Sequence, residues 1–208
     1  TGFVELALQS HLAADGALPV ELSDMVFLRP LDLPGDAPRT IGTRTRDESG
    51  QTRVEIRGAA RVEGRDGMVL NASARLTRPA GATPPEPLDI AALRARCTTP
   101  SIHTSADGFA SPQEAHLAFG PRWRVVREAW TGQDEGLARL ALPDSARGDQ
   151  DAGFILHPAM LDLATGWAME LIEGYTPERL WVPVGYGSIR IWRPMPAEIV
   201  SQVRTRPE

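Results

Sequence analysis

Asp162 is the side chain with the clearest chemical potential in this sequence. It lies in LHPAMLDLATGWAMELI (156–172), at a place where an apolar helix would otherwise carry Leu or Ala, just after the His157-Pro158 pair. A carboxyl group there can pass a proton to a leaving oxygen or take one from an acidified carbon. The plainer reading is a helix-start acid, which the positive end of the helix dipole favours. Burial among Met160, Leu161 and Trp167 favours a protonated carboxyl and a helix N-terminus favours the anion, so position alone leaves the balance open.

The imidazoles rank below it. His157 reads as structural, because Pro158 fits a first helical turn and the ring can bond nearby backbone. His116, in HLAFGPRW (116–123), lies close to Gly120 and Pro121; a surface-loop role is its simpler account. His11 and His103 read as surface residues. The one cysteine, Cys97, flanks a short helix and reads as packing; it excludes an internal disulfide and a zinc cluster. Trp123, Trp130, Trp167, Trp181 and Trp192 read as core and cavity wall rather than a stacking platform.

The elements that must hold these groups follow from periodicity and punctuation. GFVELALQSHLAA is an apolar helix ended by Gly16, and extended segments follow at 20–28, 39–47, 51–62 and 68–78. Their turns are ESGQ and EGRDG, the second with the Asp66-Gly67 pair that hairpins favour. The Pro-rich stretch 79–88 cannot be a central strand and reads as a linker into the short helix DIAALRARC. Beyond it come a weakly patterned segment (98–111), strands at 122–130 and 137–143, the polar loop DSARGDQD, the helix carrying Asp162, the strand LWVPVGYGSIRIW and a last strand in AEIVSQVRTRPE.

With 208 residues, 42% hydrophobic and 24% charged, the chain can bury a sizeable core. A formal charge of −5 gives no nucleic-acid footprint, and the apolar runs are too short to span a membrane. A cytoplasmic location is expected. The 22 basic residues are all arginine, a bias typical of GC-rich coding sequences.

The two halves repeat. Each has one apolar helix and then an extended run closing on Arg-Pro, in FLRPLDLP (27–34) and IWRPMPAE (191–198). A single apolar helix among antiparallel strands suggests a sheet wrapped around it, the hot-dog arrangement. Two copies give an α+β double hot dog divided as 1–78, a linker with short helix at 79–115, and 116–208. Counting strands copy against copy, each half lacks strands the other has, so truncation at both ends is expected.

The motifs, in order, resemble the dehydratase domains of modular polyketide synthases, over nearly the whole chain. HPAMLD (157–162) is similar to the family's His-Pro-x-x-x-Asp, and HLAFGPRW to its Gly-Tyr-x-Tyr-Gly-Pro-x-Phe segment. WVPVGYGSIRI resembles its Leu-Pro-x-x-x strand, and TGFVELAL the helix after its His-x-x-x-Gly-x-x-x-x-Pro motif. The departures are Phe119 for the second Tyr, His116 and Leu117 for the first Gly and Tyr, and Gly166 where the family has Gln, His or Asn.

The resemblance implies elimination of water from a 3-hydroxyacyl chain on an acyl carrier protein, giving a 2-enoyl thioester. Asp162 is then the acid, and the base is a His of the motif expected just upstream of Thr1, so these residues alone are expected to be inactive. Gly120, Pro121, Phe119, Trp123, Gly166, His116 and Pro183 are the expected substrate contacts, with backbone amides near Gly120 and around Thr1 and Gly2 polarising the thioester. No metal or cofactor is expected beyond the carrier's phosphopantetheine arm. Expected partners are the carrier, neighbouring synthase domains and a second copy in a homodimer, with no nucleic acid and no membrane. Arg190, Arg193, Arg204 and Arg206 could face an acidic carrier, although solvated strand faces explain them as well. A double-bond isomerase, a cyclase closing an oxygen ring, and a catalytically silent domain are the alternatives.

Overall fold

The computed structural model describes every residue except Asp15, Asp32, Pro34, Asp36, Ala37, Ala82, Ala106, Asp107 and 206–208. Arg206, and Asp32 and Pro34 of the first Arg-Pro run, lie outside the described residues. In chain order the elements are α1 (Gly2–Ala13), β1 (Val20–Phe27), β2 (Ile41–Glu48), β3 (Gln51–Val62), β4 (Arg65–Thr77), α2 (Ile90–Arg96), β5 (Thr99–Pro100), β6 (Thr104–Ser105), β7 (Gly108–Phe109), β8 (Val126–Thr131), β9 (Glu135–Ala141), α3 (Arg147–Asp151), α4 (Pro158–Gly166), β10 (Gly185–Ile191) and β11 (Glu198–Arg204). Contacts group them into an N-terminal unit, Gly2–Pro84 with Val182–Pro194, and a C-terminal unit, Thr1, Pro85–Trp181 and Met195–Glu208. No helix among the described residues is long and apolar enough to cross a membrane.

In the N-terminal unit five antiparallel strands run in the order β10-β1-β4-β3-β2, and α1 packs against β2, β3 and β4. Val4, Ala7 and Leu8 of α1 are fully buried, as are Leu22, Met25, Ile56 and Leu76. Each large aliphatic side chain removed from water here contributes about 1.5–3 kcal/mol. Alternation along β1 slips by one, from Val20 and Leu22 to Met25, because Asp24 at φ 49° makes a bulge that carries the next side chain inward.

A second bulge falls at Asn71, between the pairs Ile56–Ala72 and Arg57–Leu70. Its side chain is buried, with Oδ1 accepting from Gly58 N–H at 2.7 Å and Nδ2 donating to Pro30 C=O at 2.9 Å. Its own carbonyl accepts from Leu28 N–H at 2.8 Å and Arg29 N–H at 3.1 Å. The first Arg-Pro segment is thereby tied to β4 through one residue.

In the C-terminal unit the sheet order is β11-β9-β8-β5, with the β6–β7 hairpin apart. Helix α4 lies on β9 and β11, burying Ala159, Met160, Leu163 and Trp167 from one face. Gly136 of β9 allows the close approach of Trp167, since a Cβ there would stand 2.6 Å from Cη2 of the indole. Trp167 Nε1–H donates to Ser201 Oγ (3.3 Å), which donates to Ala164 C=O (2.7 Å), joining helix to β11. Asp89 caps α2 by accepting from Ala92 N–H, and Cys97 ends that helix fully buried.

Five expectations change. LWVPVGYGSIRIW does not stay with the C-terminal half: β10 pairs with β1, from Val20–Ile191 to Val26–Gly185, so the divisions at 78 and 115 are not those of the observed units. Pairing the strand that follows each helix covers an edge of β1 that would otherwise be bare. The stretch 85–115 is likewise part of the C-terminal unit, through α2 and the β5–β8 pairing. The β3–β4 turn forms at Glu63-Gly64, both at positive φ (50° and 77°), and Asp66-Gly67 lies inside β4. DSARGDQD is helical rather than loop, with a 3-10 turn at Asp144–Ala146 followed by α3, and α4 stops at Gly166, well short of Ile172.

Candidate active site

Helix α4 starts with His157 as N-cap and Pro158 in its first turn, and that first turn holds no acidic residue. Asp162 sits in the second turn, past the amides that a helix-start acid would serve. Its neighbours Leu161 and Leu163 are buried, whereas Asp162 is at the flank of the buried face and half-exposed. A half-exposed carboxylate can exchange protons and meet a ligand, which a sealed one cannot.

The partner of Asp162 comes from the FGPRW segment. Gly120 precedes a 3-10 turn, Pro121–Trp123, whose Trp123 N–H bonds back to Gly120 C=O at 3.0 Å. This turn presents the Trp123 indole so that Nε1–H donates to Asp162 Oδ2 at 2.8 Å. The rest of the indole packs against the apolar core below.

Next to Trp123, Arg122 forms a two-point ion pair with Asp149 of α3, Nε to Oδ2 at 2.7 Å and Nη2 to Oδ1 at 3.2 Å. Asp149 Oδ2 also lies 3.2 Å from His157 Nε2. The hydrogen bonds from Arg122 and then His157 hold the Asp149 carboxyl down at about 2 from its ordinary 3.8. The His157 side chain is only 8% exposed and its Nδ1 is buried. With Nε2 committed to Asp149, neither ring nitrogen is open to a substrate.

The other expected residues are placed as follows. His116 is exposed, with Nε2 2.9 Å from Pro177 C=O. Phe119 is half-buried, while Gly120 and Pro121 are exposed and build the turn. Gly166 closes α4 one turn after Asp162, and a Cβ there would meet no atom within 4 Å. Pro183 is exposed and belongs to the N-terminal unit, on the segment leading into β10. Within the C-terminal unit, then, the sequence motifs HPAMLD and FGPRW meet at Trp123 and Asp162.

Two residues of this arrangement, Arg122 and Asp149, carry no signal of their own in the sequence. His103 also departs from its surface reading. It packs edge-on against Phe109, with Nε2 3.1 Å from Glu170 Oε2, an oxygen that also accepts from Ser101 Oγ at 3.2 Å. His11 is half-buried and its ring covers Gly16, where a Cβ would fall 2.4 Å from Nε2. Among the described residues no group of three or more His, Cys, Asp or Glu is placed to hold a metal ion.

Comparison with known proteins gives one consistent result. The family model described as Polyketide synthase dehydratase N-terminal domain matches residues 85–207. The chain is 32% identical over 165 residues, 78% of its length, to mycoketide-CoA synthase of Mycobacterium tuberculosis. It is 29% identical over 205 residues, 91% of its length, to the spectinabilin polyketide synthase system protein NorA' of Streptomyces orinoci. It spans only 4% and 5% of those two proteins. Among solved structures, the dehydratase domain from the CurF module of curacin polyketide synthase superposes with a TM-score of 0.81 at 20% identity, covering 99% of this chain and 72% of that one. That likeness establishes the double hot-dog fold.

Proposed function

The chain belongs to the polyketide synthase dehydratase family, and on that premise we propose that it removes water from a 3-hydroxyacyl chain carried on an acyl carrier protein, with Asp162 as the acid. One observation carries the reading. The two segments expected at the site meet on a single half-exposed carboxyl, through the 2.8 Å bond from Trp123 Nε1–H to Asp162 Oδ2.

The elimination needs two proton movements. A base takes the C2 proton, which the thioester carbonyl acidifies, and the C2–H electron pair becomes the C2–C3 double bond. The C3–O bond breaks as the acid gives that oxygen a proton, releasing water and the 2-enoyl thioester. In this reading Asp162 gives the second proton, and the base is a histidine encoded ahead of Thr1 in the parent protein. Gly120, Pro121, Phe119, His116 and Gly166 lie on the two motif segments that meet through the Trp123–Asp162 bond, and are assigned to substrate contact. Pro183 is assigned likewise.

The same reading has the domain working beside other synthase domains, as a homodimer served by a carrier. Of the arginines that could meet an acidic carrier, Arg190 is paired with Glu21 at 3.1 Å and Arg204 with Glu135 at 3.4 Å. Arg193 is exposed. The test is mass spectrometry of the full-length parent polypeptide acting on a 3-hydroxyacyl carrier protein. Loss of one water with a new 2,3-double bond is the expected result. A product of unchanged mass with a moved double bond, or a ring formed from an enoyl, would replace dehydration with the isomerase or the cyclase.

A further inference from the structure

Among the described residues, the Asp162 carboxyl accepts a side-chain hydrogen bond from Trp123 alone. An indole N–H is a donor with no lone pair to offer in return. A carbonyl oxygen accepts better than a hydroxyl oxygen, so the bond favours the form of the acid in which Oδ2 is unprotonated. The favoured seat of the acid's proton is then Oδ1.

We propose that Trp123 is the positioning residue of this acid, fixing the plane of the carboxyl and making Oδ1 the oxygen that delivers the proton. The proposal rests on the reading of Asp162 as the acid and adds what makes that acid competent. As the proton leaves, negative charge grows on the carboxyl and the bond from Nε1–H becomes charge-assisted, hence stronger. An interaction that strengthens along the reaction lowers the barrier rather than merely tightening binding.

The surrounding groups hold the indole to this task. Trp123 is the last residue of a short 3-10 turn, and Arg122 beside it grips Asp149 at two points. Asp149 in turn meets His157, the N-cap of the helix that carries Asp162. The turn is thus fastened to α4 twice, by Arg122 through Asp149 near its start and by Trp123 one turn further along. A ring closed through five side chains leaves the carboxyl little freedom to rotate.

The test compares the full-length parent protein with its Trp123→Phe variant, which keeps an aromatic ring and loses the N–H. The expected loss in kcat is about ten- to a hundredfold, the range for a hydrogen bond to a charged group. KM changes little, and the alkaline limb of the rate profile moves to higher pH because a donor to the anion is gone. Adding Gly166→Gln to Trp123→Phe should recover several-fold. It offers an amide donor one helical turn from Asp162, at a position where a Cβ has open space. If Trp123→Phe does not fold, 3-benzothienylalanine at position 123 replaces only N–H by sulfur and is read in the same way. A rate and pH profile like the parent's overturns the proposal. So does a loss with neither the pH movement nor the recovery, which assigns Trp123 to packing. Full turnover by Asp162→Asn instead overturns the underlying reading, so the two failures are told apart.

Discussion

Asp149 Oδ2 lies 3.2 Å from His157 Nε2 while the same oxygen accepts from Arg122 Nε at 2.7 Å. The contact links α3, which reads as a polar loop in sequence, to the N-cap of the helix bearing Asp162 and to the turn bearing Trp123. Because both partners favour its anion, Asp149 titrates at about 2 rather than 3.8. A depressed carboxylate stabilises the fold above its unfolded value, and that contribution disappears as the pH falls from 3.8 towards 2. Urea unfolding across this window should show a steeper decline for the parent than for Asp149→Asn. Equal slopes would mean that the ion pair does not form in solution.

Asn71 predicts a loss localised to the other unit. Replacing it with Leu leaves Gly58 N–H and Pro30 C=O without their side-chain partners at a buried bulge. The cost should be about 2–3 kcal/mol by the usual penalty for unsatisfied buried groups. Hydrogen exchange at Gly58, Leu28 and Arg29 should accelerate ahead of the rest of the sheet.

Gly136 and Trp167 make a paired prediction. Gly136→Ala forces a methyl to within 2.6 Å of Cη2 of the indole and should cost about 1–3 kcal/mol through overpacking. In a Trp167→Phe background, where that ring edge is gone, the same substitution should be nearly neutral. Additive losses would show that the two residues do not touch.

Cys97 predicts a silent thiol. Burial, and then the nearby charge of Glu135, push it above its ordinary 9.0. A thiol-disulfide reagent near neutral pH should leave the folded protein untouched and modify it fully once unfolded. Fast labelling of the native protein would contradict its burial.

Much of this architecture was legible residue by residue. The alternation in QTRVEIRGAARV marks β3 to its ends, and the short helix read in DIAALRARC forms as α2, with Asp89 and Cys97 as its caps. Asp162 stands out because a charged residue interrupts an apolar face. What escaped depends on partners far along the chain. β10 carries two glycines and little alternation, so nothing local says that it pairs with β1. Glu63-Gly64 and Asp66-Gly67 are both acceptable hairpin pairs, and only the register of β3 on β4 selects the first. α3 is short and polar on all sides, without an apolar face to announce it, and the burial of His103 arises from Phe109 and Glu170.

The central claim is that Asp162 carries the proton that leaves with water. Its most direct test is turnover of a 3-hydroxyacyl carrier protein by the Asp162→Asn variant of the full-length polypeptide, followed by mass spectrometry. Asn keeps the shape and can still accept from Trp123, but it has no acidic proton. The account predicts a fall of roughly 10²–10⁴-fold in the rate of water loss, with folding intact. Dehydration at the parent's rate would contradict it.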